Sequence, residues 1–100
     1  MPNRIVWSQN AQAQFRSTVR YWDRRNQSQF YTKRLTSLVL RQLRILRQFP
    51  TAFTEATPGI RKMTVENFVM LYTVNKAVIV LLHFYDSRQN GPLIGDLIDI

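Results

Sequence analysis

The spacing of apolar residues changes once along this chain, between Thr51 and Gly59, and the change divides it into a helical half and a strand half. Upstream, Ala11, Phe15, Val19 and Trp22, with Thr18, recur at the 3.6-residue period that places them on one face of a helix, while Arg16, Arg20 and Arg24 fall on the opposite face. Downstream, Arg61, Met63 and Val65 alternate with Lys62, Thr64 and Glu66, the period of two that a half-buried strand requires. A pattern built for one period buries the wrong residues when folded into the other. The order of the two halves therefore predicts an α+β fold, with helices first and a small sheet after them.

Local signals fill in the elements. Arg4 to Trp7 reads as a short strand, and Ser8 as the N-cap of the first helix, because its hydroxyl can accept a backbone N–H of the first turn. Asn26-Gln27 forms a short link, and Ser28 is placed to cap a second helix running to about Phe49 and ended by Pro50. Its apolar stripe is Tyr31, Leu35, Leu38, Val39, Ile45, Leu46 and Phe49, with Lys33, Arg41, Arg44 and Arg47 facing away. Amphipathic helices joined this tightly pack as an antiparallel hairpin. Pro58 and Gly59 keep the loop from Thr51 to Gly59 irregular. Three strands then form an antiparallel meander, closed between Phe68–Val74 and Ala77–Phe84 by an Asn75-Lys76 turn in which Asn tolerates a left-handed backbone better than Lys. Ile5 to Trp7 adds at an edge, giving the order β-α-α-β-β-β in one domain spanning residues 1–100, with the helical hairpin on one face of the sheet.

Phe68 to Val74 and Ala77 to Phe84 are apolar on both faces, whereas a sheet covered on one side alternates. A helical hairpin covers only one face. The other is left either to the tail Pro92-Leu93-Ile94-Gly95-Asp96-Leu97-Ile98 or to another chain, and the second reading is preferred here.

Charge is as unevenly placed as period. Residues 1–50 hold ten Lys and Arg against Asp23 alone, and residues 51–100 hold four bases against five acids. Such a field favours encounter with polyanions, although a solvated helix face carries the same signature. A chain of 100 residues without cysteine has neither a disulfide framework nor a thiolate metal site, and a deep enclosed small-molecule cavity is not expected in so small a core. Its start lacks the pattern of a secretory signal, and its longest apolar run, Ala77 to Leu82, is too short to cross a bilayer. A cytoplasmic protein is expected, with no membrane association.

The chemistry-bearing residues gather at the end of the last strand. His83, the single histidine, takes or gives protons near neutral pH; Tyr85 follows one alternation later, and Asp86 and Arg88 lie where the strand ends. Arg61 and Lys62, on the first strand of the meander, supply fixed positive charge. Together these suit metal-independent RNA cleavage, in which the 2′-hydroxyl attacks phosphorus, a base removes its proton and cations stabilise the developing charge. A lone histidine at the end of an apolar strand is more often structural, and Tyr72 and Tyr85 read first as packing residues with a polar tip. Gly-rich phosphate loops, paired carboxylates at helical spacing, His-x-x-x-His pairs and nucleophile elbows are absent from the sequence, so no cofactor or metal is called for.

The run of elements resembles the RelE/ParE family of toxins from bacterial type II toxin–antitoxin pairs. The resemblance is carried by Ile5-Val6-Trp7-Ser8 with Ala11 and Phe15, the Tyr21-Trp22 segment, Leu46 to Pro50, Ile60-Arg61-Lys62-Met63, Phe68 to Tyr72 and Asp86-Ser87-Arg88-Gln89-Asn90. It implies a helical hairpin on a small antiparallel sheet and a cognate antitoxin that wraps and silences the toxin in a hetero-oligomer. It also implies one of two targets: RelE-like members cleave messenger RNA on the ribosome, and ParE-like members poison DNA gyrase by binding it. Val69 stands where RelE-like enzymes carry an arginine, and Arg61 matches the arginine that opens the same strand in ParE-like members. The sequence reading places ribosome-linked mRNA cleavage first, with Arg61 and Lys62 holding phosphate, His83 as base or acid, Tyr85 beside it and Arg88 stabilising charge. Gyrase inhibition is second, and a degenerate member that only binds its antitoxin is third.

Overall fold

The computed structural model describes residues 3–88. Strand β1 (Arg4–Trp7) leads into helix α1 (Gln9–Asn26) and helix α2 (Phe30–Gln48), which are followed by β2 (Glu55–Thr57), β3 (Ile60–Val65), β4 (Phe68–Asn75) and β5 (Val78–Asp86). The five strands form one sheet in the order β1-β5-β4-β3-β2.

Ser8 caps α1 as expected, its hydroxyl accepting the Ala11 N–H at 3.0 Å while donating to the Leu82 carbonyl at 3.0 Å. One side chain thus ends β1, starts α1 and ties both to β5. The second cap is displaced by one residue. Gln29 occupies the N-cap of α2 without a side-chain bond, and Ser28 accepts the Phe30 N–H from the position before it.

The buried ladder of α2 is Thr32, Leu35, Val39, Leu43 and Leu46. Ile45 and Phe49, expected in the stripe, are 43% and 57% exposed. At about 100° per residue, Ile45 points well away from Leu46, whereas Leu43, three residues before Leu46, shares its side.

Two features of the sheet depart from the antiparallel meander. The segment from Thr51 to Gly59 contains β2, paired with β3 through Glu55 and Arg61. β1 runs parallel to β5, with Arg4 beside Val78 and Trp7 beside Leu81, so the sheet is mixed. Parallel neighbours need a long crossover, which the whole chain from α1 to β4 supplies. Both tight connections of the meander carry a left-handed residue without being glycine, Glu66 at φ 53° and Lys76 at φ 56°. The second falls on the lysine rather than on Asn75, which remains in β4.

Register places the core. Tyr72 pairs with Leu81 and Leu71 with His83, so β5 carries one extra residue, Leu82, in a bulge. The helix-facing cluster takes Met63, Met70, Tyr72, Ile79, Leu81 and Phe84 against Ala11, Leu35, Val39 and Leu46. An aromatic chain runs through it from Trp7 to Phe15 at 5.5 Å, to Phe84 at 5.1 Å and to Phe68 at 5.1 Å, linking β1, α1, β5 and β4. Each such pair contributes about 0.5–1.5 kcal/mol beyond its buried area.

The far face holds a second cluster of Ile60, Val69, Leu71 and Leu82, flanked by Val80 and Tyr85. The expected two-faced apolarity of β4 and β5 is therefore present. The four central residues are each no more than 9% exposed, so the open apolar plane anticipated for a partner is not found there. The tail of residues 92–98, the other candidate cover, lies outside the described residues.

Candidate functional site

The end of β5 projects beyond β1. β1 pairs with β5 only as far as Leu81, so from His83 onward one edge of β5 has no strand beside it among the described residues. α1 passes there instead. Gln14 fills the gap with its side-chain amide, Oε1 accepting the Phe84 N–H at 2.8 Å and Nε2 lying 3.2 Å from His83 Nδ1. Because the Phe84 bond commits the amide oxygen, it is the amide nitrogen of Gln14 that faces His83 Nδ1.

A groove of about 850 Å³ opens between this strand end and α1, lined among others by Gln14, Tyr21 and Arg25 on one side and His83, Tyr85 and Asp86 on the other. Arg88 borders it as well. Its guanidinium grips the Asp86 carboxylate through Nε at 3.0 Å and Nη2 at 2.8 Å, and its backbone N–H donates to the same carboxylate. That grip holds the Asp86 carboxyl below the usual carboxylate range and raises the Arg88 guanidinium further. Tyr31, from the start of α2, reaches this end of the sheet. Burial pushes its phenol up, and the Glu66 carboxylate adds to the shift.

The expected site residues divide into three groups. Register sets His83 opposite Leu71 and Tyr85 opposite Val69, and sets Lys62 opposite Leu71 from the other side, so Lys62, Leu71 and His83 form a row across three strands, at the end of which the His83 ring meets Gln14 of α1 at the strand edge. At about 4.8 Å between strands, the Lys62 and His83 backbones are about 10 Å apart. Asp86 and Arg88 form a second group, closed on each other at the mouth of the groove. Arg61 stands apart. It pairs with Tyr72, on the helix-facing side, where Nη1 donates to the Phe53 carbonyl at 2.6 Å and Nη2 meets Glu55 at 3.3 Å. There it ties β3 to β2 and to the loop before it.

Gln14 was not singled out from the sequence. Its signal is a polar residue set between Ala11 and Thr18 on the inward flank of α1, where the apolar pattern would take another aliphatic. Among the described residues no group of three or more His, Cys, Asp or Glu side chains is placed to hold a metal ion.

The fold, a helical hairpin packed on a five-stranded mixed sheet, is shared with a solved structure. That structure, described as the chromosomal ParDE TA system from P. aeruginosa, superposes with a TM-score of 0.71 at 17% identity, covering 84% of this chain and 95% of that one. Among curated proteins none matches the sequence. The family model described as ParE toxin of type II toxin-antitoxin system, parDE, matches residues 5–91. The chain belongs to the ParE toxin family.

Proposed function

We propose that this toxin arrests growth by binding DNA gyrase in the cytoplasm, without a catalytic step, and that a cognate antitoxin neutralises it. The observation that carries the reading is the state of the two arginines a phosphodiester-cleaving site would use. Arg61 is committed to Phe53 and Glu55, and Arg88 to Asp86. Arg61 in addition pairs with Tyr72, on the opposite side of the sheet from the row of Lys62, Leu71 and His83, so it is not placed to meet a phosphate held there. Membership of the ParE family agrees with this order of targets, which reverses the ranking drawn from the sequence alone.

Ribosome-linked mRNA cleavage is the second reading, favoured by the row of Lys62, Leu71 and His83 with Tyr85 one position along. The two separate in one experiment. Purified toxin is added to a gyrase supercoiling assay, and DNA, RNA and protein synthesis are followed after induction in cells. Gyrase inhibition predicts loss of supercoiling, early DNA-damage signalling and intact messages, with toxicity retained in His83→Ala. Unimpaired gyrase with cut messages, abolished by His83→Ala, would overturn it, since a positioned acid or base is worth about 10² to 10⁴ in rate. Normal growth at high expression returns the degenerate, antitoxin-binding member.

A further inference from the structure

The outer surface of the helical hairpin, away from both sheet and groove, carries a field that the target reading does not use. Arg16, Arg20 and Arg24 occupy successive turns of α1, and Lys33, Arg41 and Arg44 lie along the solvent side of α2; all six are exposed. Among the described residues none of them meets a carboxylate: Arg16 donates to Gln12, and the arginines in ion pairs are Arg34, Arg61 and Arg88 instead. Asp23, the only acid of the hairpin, accepts the Thr32 hydroxyl between the two helices. There the shallow cleft between α1 and α2, about 390 Å³, is floored by small polar side chains including Thr36 and Ser37 and edged by Lys33.

We propose that this face binds duplex DNA through its phosphates, without reading sequence. The match is one of charge and rigidity. At a rise of about 1.5 Å per residue, Arg16 to Arg24 spans about 12 Å, over which a duplex presents roughly seven phosphate charges. Two packed helices hold their cations in fixed rows, which suits a regular polyanion. A single strand would call instead for aromatic platforms between the cations. The exposed aromatics Tyr21, Phe30 and Phe49 lie on the groove side, at the hairpin tip and at the far end of α2. Of the hydroxyls along the cleft, those of Thr32 and Thr36 already donate within the hairpin, which leaves Ser37 beside Lys33 as a further polar contact for a phosphate oxygen. The inference is independent of the toxin's target, because none of these residues belongs to the groove or to the row across the sheet.

The test is fluorescence anisotropy of a labelled 30-base-pair duplex of arbitrary sequence, titrated with the purified protein from 50 to 200 mM NaCl. With four or five phosphates neutralised, affinity falls about a hundredfold or more over that range. Arg20→Glu with Arg44→Glu weakens binding at least tenfold and flattens the salt slope by about two, one for each cation lost. Lys76→Glu, in the β4–β5 turn off this face, stays within about twofold of the parent. Circular dichroism checks folding, and should the double reversal unfold the hairpin, Arg20→Gln with Arg44→Gln reads the same slope. Three results would overturn the proposal: an affinity insensitive to salt, an equal loss in Lys76→Glu, or tighter binding of a single strand. Competition by poly-glutamate of matched charge as strong as that of unlabelled duplex would also overturn it, moving the face to an acidic protein.

Discussion

The two halves of β5 carry similar apolar side chains but have different neighbours. From Val78 to Leu81 the strand lies between β1 and β4, with backbone partners on both edges. From His83 to Asp86 it keeps β4 on one edge, while the other faces α1 and is met by the side chain of Gln14. The first half is sheet interior by backbone pairing. The second is sheet interior by side-chain substitution, and it is there that the groove opens. A fold can end a strand at a groove without leaving a sticky edge if a neighbouring helix supplies the missing acceptor.

The comparison is tested most severely through the core the two halves share. Leu81 and Phe84 are each 1% exposed and belong to one cluster. Leu81→Ala is expected to cost about 2–5 kcal/mol and Phe84→Ala about 3–5 kcal/mol in urea unfolding. A Phe84 loss near zero would mean that the second half is not part of the cooperative unit.

Gln14→Ala sharpens the contrast. It leaves the Phe84 N–H without its acceptor, at about 1–3 kcal/mol. Amide exchange at Phe84 should quicken while that of residues 79–81 holds, and unchanged protection at Phe84 would remove Gln14 from the edge. Ser8→Ala acts at the junction of the halves, removing both the α1 cap and the bond to Leu82, and should cost about 1 kcal/mol.

The smallest effect belongs to Arg88→Ala, because the ion pair it breaks is largely in water. Its sign with pH is fixed. The folded Asp86 carboxyl lies below its ordinary value of 3.8, so the pair stabilises above that pH and the contribution fades as pH falls through the depressed value. The melting-temperature difference between parent and Arg88→Ala should therefore be flat from pH 7 to about 5 and shrink below about 4. A difference that grew on acidification would show that the arginine acts through another group.

Much of this architecture was legible in the sequence because it rests on period. The hairpin of α1 and α2, the Ser8 cap and the three long strands all follow from spacing and from one capping hydroxyl. What was not legible depends on residues brought together from afar. β2 has only three residues, Glu55–Thr57, too few to show alternation, and exists because Glu55 finds Arg61. The parallel sense of β1 is set by the crossover and not by its own four residues. Gln14 reads as an ordinary polar helix residue until Phe84, 70 positions away, lies beside it. The candidate site suffered most for the same reason. Arg61 and His83 both read in sequence as polar side chains on strands of one sheet, but register sets Arg61 beside Tyr72 and His83 beside Leu71, positions of opposite facing on β4.

The bulge in β5 can also be taken as a matter of length. β5 has nine residues and β4 eight, and the surplus is taken up at Leu82, between partners Leu81 to Tyr72 and His83 to Leu71. Deleting Leu82 would therefore change no pairing: Leu81 and Phe84 would stay toward the helices, and His83 and Tyr85 away from them. What would go is the added twist that a bulge imparts, together with the Leu82 carbonyl that Ser8 holds and the Leu82 side chain in the far-face cluster. The strand would run straighter past α1, and the Phe84 N–H would leave the reach of Gln14. One residue, counted in or out, sets the curl of the groove wall without rewriting the sheet.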